Sequence, residues 1–295
     1  MLTALKQARA AIALLNPEEI LNRAREPLHI GLVASSEQAY EQMEDYLLPA
    51  SLPLEERTYL LDHLHRVNDP NTPEAVDLIL FEEGTPGPKG TYTFYRHNPA
   101  ATVTEILQAN EDIELALARQ FPPFRQRVVE RTIHAVAAEN ALFAIATALP
   151  DIVPSLVELP WAVSEFASDT VFLTGNQIRM AFVVAAAYGQ EVGFLHQKAA
   201  ILSIGAGAFG WRALARELVG KIPLGGGLIP KGAIAYAGTY AVGKGLEFLY
   251  SGNGTLSHGQ RRSIYREALD RGRDLAARVI PGSAAPPSVS KDTTQ

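Results

Sequence analysis

With 295 residues and 47% hydrophobic content, the chain is long and apolar enough to bury two ordinary cores, which excludes global disorder. Cysteine is absent, and with it disulfides, thiolate zinc sites and cysteine nucleophiles; a reducing, cytoplasmic setting is expected. The formal charge of −6 hides an asymmetry, because residues 1–120 carry 9 Lys and Arg against 19 Asp and Glu while residues 121–295 carry 17 against 13.

This contrast places a domain boundary near residue 120, and only the second half favours an anionic surface. An acidic chain without a basic cluster predicts no nucleic-acid binding, since that affinity rests on phosphate neutralisation. The apolar stretch Ala10–Leu15 is too short for a secretory core and runs into Pro17, so no signal peptide is expected.

In chain order, residues 2–24 read as a helix interrupted at Asn16-Pro17, where Asn16 can cap a turn opened by proline. Leu28–Ala34 is a short apolar run that predicts a buried strand. Ser35 and Gln38 match a capping box for a helix through Leu48. Ala75–Phe81 predicts a second strand, ending in Glu82-Glu83. A Gly/Pro-rich turn and the β-prone TYTFY follow, then a helix over Ala101–Gln120. The first half therefore reads as a small α/β layer structure.

After Phe121-Pro122-Pro123 the segments become long, apolar and rich in alanine and glycine, which predicts an all-helical second half and an α+β chain overall. Of 23 glycines, 15 fall between Gly189 and Gly254. Glycine weakens helices, so its density must serve packing. Ala233, Ala237, Ala241 and Gly245 recur every fourth residue, a spacing that predicts one face admitting a neighbouring backbone. Residues 256–278 read as a charged amphipathic helix, and 281–295 as a low-complexity tail. The domains are thus 1–120, 121–280 and the tail.

No run of 18 uncharged residues exists. Ile222–Gly243 is interrupted only by Lys231 and suits either a buried helix pair or a membrane-dipping hairpin.

GAGAFG, residues 205–210, matches a dinucleotide fingerprint after the apolar AILSI. The acidic residue expected about 20 positions on is absent until Glu247, so helix packing is the better reading. Between first strand and first helix, where a P-loop would sit, stands Ala34-Ser35-Ser36-Glu37, lysine-free and acidic. Glu82 and Glu83 then read as a solvated strand end. His63 and His65 share a face only in a strand, and no third ligand is identifiable for a metal. GxSxG is absent. No cofactor, metal or catalytic residue is assigned.

SDTVFLTGNQIRMAFVVAAAYG (168–189), followed by GAGAFGWRALARELVGKIPLGGGLIPKGAIAYAGTYAVG (205–243), resembles the YcjF-like domain of unknown function. Its markers are Asn176-Gln177-Ile178-Arg179-Met180, Trp211-Arg212 with Ala215-Arg216-Glu217, and Ala235-Tyr236-Ala237-Gly238-Thr239, and it covers about residues 120–250. That domain commonly follows an Era/EngA-like GTPase domain in bacteria, and some members are described as membrane proteins. The resemblance implies a helical fold and lends no activity. It places LHIGLVASSEQ where the GTPase partner would start, without its GKS/T or NKxD, so the first half is either a degenerate GTPase-like module or an unrelated α/β domain.

The reading is a non-enzymatic interaction protein whose helical half associates with a membrane surface, another copy or a protein partner, with Trp211, Arg212, Ala233, Ala237, Ala241 and Gly245 as interaction or packing residues. The alternatives are a regulator that binds a nucleotide without hydrolysis and an NAD(P)-binding protein using GAGAFG.

Overall fold

The computed structural model describes residues 15–67, 75–85, 87–147, 169–206 and 228–280. These divide into two compact units. One comprises Asn16–Thr132 with Phe182–Gln197, and the other the described parts of Ile133–Ala181 and Lys198–Gln295. The cut expected near 120 lies inside the first unit. The fold is α+β, with a small sheet in the first unit and only helices among the described residues of the second.

The first unit opens with α1 (Pro17–Arg25), whose N-cap Asn16 accepts from the Glu19 amide. Its strands β1 (Ile30–Val33), β2 (Leu64–Arg66), β3 (Leu78–Glu82) and β4 (Tyr92–Phe94) form one parallel sheet in the order β2-β1-β3-β4. Parallel strands are usually buried on both faces, and β1 follows this: Ile30 and Leu32 on one face and Gly31 on the other are buried, with Val33 partly exposed. Helices α2 (Glu37–Leu47) and α3 (Leu54–Leu61) lie in sequence between β1 and β2. Parallel β3 and β4 are joined only by residues 83–91, where Gly84 (φ 90°) and Gly90 (φ 87°) supply left-handed turns that side chains disfavour. Helices α4 (Pro99–Ala109) and α5 (Glu114–Gln120) follow, splitting the single helix expected there at Asn110.

Pro122 and Pro123 start a helix as well as end one, because proline is tolerated in a first turn: α6 runs Pro122–Ala146. Then come α7 (Asp169–Ala187), α8 (Lys198–Ala206), α9 (Leu228–Tyr250) and α10 (His258–Val279). The start of α10 carries a full capping box of Ser257 and Gln260.

In the second unit α9 is the helix around which the others pack. A Cβ added at Gly232 would lie 2.7 Å from Ile145 Cδ1 on α6, and one at Gly243 would meet Ile133 at 2.7 Å and Met180 of α7 at 3.1 Å. Helix α10 runs antiparallel to it. There Gly272 comes so close that an added Cβ would sit 2.9 Å from Ala233 Cα and 3.0 Å from its carbonyl oxygen. Glycine at these sites is what lets backbones and branched side chains approach.

Among the described residues no helix is long and apolar enough to cross a membrane. The stretch 222–243, read as a buried pair or a hairpin, belongs to α9 from Leu228 onward, and Ala233, Ala237 and Val242 are fully buried within the unit. Residues 222–227 lie outside the described residues.

Gly272→Ala forces a methyl into backbone, and we expect it to cost about 1–3 kcal/mol. Gly259→Ala, in the same helix with nothing within 4 Å, should be neutral or stabilise by about 0.5 kcal/mol. Equal denaturant midpoints for the two variants would show that the α9–α10 approach is not tight.

Candidate functional site

In a parallel sheet, ligands bind beyond the carboxyl ends of the strands where the winding direction switches. The order β2-β1-β3-β4 puts that point between β1 and β3. Ser35 follows β1, and Glu82 ends β3. The Glu82 carboxylate accepts from the Ser35 amide at 2.8 Å and from its hydroxyl at 2.7 Å. These bonds, aided by Arg96, hold the Glu82 carboxyl below the usual range.

An anion commonly sits on the amides at such a strand–helix turn. Here the chain supplies its own. Two sequence expectations change accordingly. Glu82 is not merely a solvated strand end, and Ser35 does not cap α2: its hydroxyl donates to Glu82, and the N-cap is Ser36, accepting from Ala39 N at 3.2 Å. Glu83 likewise accepts from the Arg96 amide at 3.1 Å. Arg66, at the end of β2, is bonded to Glu37 and Glu44 of α2, which hold its pKa above the ordinary arginine value. The carboxyl edge of the sheet is thus acidic, with Arg66 committed to neighbouring carboxylates.

His63 and His65 do share a face, as a strand requires, and His29 lies between them. Its ring stacks on His63 with centroids 5.0 Å apart, and its Nδ1 is 2.9 Å from His65 Nε2. One imidazole must donate and the other accept, which spends nitrogens a metal would need. Among the described residues no group of three or more His, Cys, Asp or Glu is set to hold a metal.

In the helical unit, two polar clusters cross the helices. The buried Asn140 of α6 donates to Thr239 Oγ1 of α9 at 2.8 Å and accepts from Asn176 of α7 at 2.9 Å. Gln177 donates to the same threonine at 3.2 Å, and Arg179 pairs with Glu139 at 3.0 Å. The second cluster centres on His134. Arg271 donates to its Nε2 at 3.1 Å, which leaves the proton on Nδ1 to be donated to the Tyr236 hydroxyl at 2.5 Å. Arg271 also reaches Tyr240 at 3.4 Å and Glu267 at 2.6 Å. This group braces α6, α9 and α10 together.

The small-residue stripe does not serve one partner. Ala233 meets α10, Ala237 is fully buried, and Ala241 and Gly245 line a cavity toward α8. A four-residue step overshoots the helical repeat by about 40°, so three steps turn the stripe by about 120°. Trp211 and Arg212 lie outside the described residues. The AILSI before GAGAFG is helix within α8, not the strand a dinucleotide fingerprint needs; residues 207–210 of the motif lie outside the described residues.

Sequence reasoning missed His29, His134, Arg271 and the Ser35–Glu82 pair. Only Tyr236 and Tyr240, four apart, carried a periodic signal of a shared face. No family model, curated protein or solved structure matches this chain.

A depressed carboxyl pKa contributes stability that is present above the unfolded value and lost as pH falls through the folded one. We expect wild type to be more stable than Glu82→Gln at neutral pH, and the gap to close as pH falls below the ordinary glutamate value of about 4.3 and through the lowered folded one. A gap unchanged across that range in denaturant titrations would remove the charged hydrogen bonds from the account.

Proposed function

We propose that this chain is a non-enzymatic interaction protein of the YcjF-like kind. Its α/β unit is a protein-binding module derived from, or built like, a nucleotide domain. Its helical unit associates with the cytoplasmic face of a membrane or with another copy. The observation that carries this reading is the Glu82 carboxylate on the Ser35 amide and hydroxyl, where a phosphate would otherwise be held. A nucleotide would have to displace a charged, hydrogen-bonded group and meet Glu37 and Glu83 nearby in sequence.

Exposed apolar side chains support the contact role. On α3 only Leu60 is buried, while Leu54 is 79% and Tyr59 62% exposed. On the helical unit Leu202 is 62% exposed and Leu249 40%. Large apolar groups left in water are candidate contacts when they recur on one element. The positive balance of residues 121–295 favours an anionic surface for that half.

Fluorescent GTP, GDP and ATP analogues should show no saturable binding up to about 100 µM, because the anion position is filled. A dissociation constant below about 10 µM would instead make the chain a nucleotide-binding regulator. For the helical unit, we expect flotation with vesicles containing phosphatidylglycerol that weakens with salt, or a concentration-dependent dimer in sedimentation. A monomer that floats with no vesicle would overturn the association reading.

A further inference from the structure

Toward the carboxyl end of α9, Ala241, Gly245 and Leu249 face Ala200 of α8 across a cavity of about 330 Å³. Protein interiors are close-packed and carry few voids larger than a water molecule. This space lies at the small end of the range of about 300–1,000 Å³ typical of ligand clefts. It is kept open by residue choice, since alanine and glycine stand where leucine would fill it. With Leu249 and Thr255 exposed to solvent, the cavity has an entrance.

The residues with polar side chains that line it are Ser203, Thr255 and Arg261. Arg261 Nε is buried with no hydrogen-bond partner, and among the described residues no carboxylate pairs with this side chain. One turn further along α10, Tyr265 is fully buried and its hydroxyl too has no partner. Burial raises that phenol's pKa, keeping it a protonated donor. The Arg261 side chain as a whole is partly exposed, and its buried Nε is a donor that an acceptor entering the cavity would satisfy. The apolar walls and the single cationic end therefore describe a ligand with two different ends.

We propose that this cavity binds a free single-chain carboxylate, its acid on Arg261 and the Ser203 and Thr255 hydroxyls and its first methylenes against Ala241, Gly245 and Leu249. The proposal is independent of the membrane reading, because it concerns a monomeric ligand taken from solution.

The test is calorimetric titration of the full chain with octanoate, octanol and octylamine, which share a tail and differ in head charge. We expect one saturable site for octanoate and binding at least about tenfold weaker for the other two. Arg261→Gln should lose about tenfold in octanoate affinity. Ser203→Leu, which fills the space while keeping the arginine, should abolish binding and decides the matter if Arg261→Gln melts early. Equal binding of octanol, octanoate affinity unchanged in both variants, or no saturation by about 10 mM would overturn the proposal. Displacement of octanoate by phosphatidylglycerol vesicles would overturn the free-acid assignment in favour of a lipid headgroup.

Discussion

Asn140 is fully buried and carries amide groups that must find partners inside protein. That requirement governs the helical unit. Its nitrogen reaches Thr239 and its oxygen receives Asn176, so α6, α7 and α9 can meet in only one rotational setting. A slip of any helix would leave several buried amides without partners, at about 1–3 kcal/mol each. Apolar packing alone would tolerate such slips, since alanine and valine surfaces look alike from one turn to the next. The glycines then act within that fixed register: Gly243 admits Ile133, Gly232 admits Ile145, and Gly272 admits the backbone of Ala233.

The same demand for satisfied polar groups shapes the α/β unit, at the turn between β1 and α2. Amides at a helix start seek an acceptor, and many parallel-sheet proteins leave that place for a ligand. Here Glu82 fills it from the end of the adjacent strand. The parallel sheet thus carries, at its switch point, amide and hydroxyl donors satisfied from within the chain.

Beside the Asn140 amide and the Ser35–Glu82 pair, the cavity next to α8 is the contrasting case. Where Asn140 and Ser35 have partners, Arg261 Nε has none, and the space before it is unfilled by side chains. Packing and hydrogen bonding fail at the same place.

The sequence by itself determined the α+β division, a strand within Leu28–Ala34, the cap at Asn16 and the amphipathic α10, because each depends on neighbours within a few positions along the chain. It also showed that the turn between the first strand and first helix is lysine-free and acidic. Only the tertiary structure brought Ser35 to Glu82, a carboxylate 47 residues away in sequence. Only the tertiary structure decided that the Ala233–Gly245 stripe turns from a helix interface to a cavity, and that Asn140, Asn176 and Thr239 meet. Periodicity reports which side of an element is apolar; it carries no record of what stands opposite, and that is where each of these sites is made.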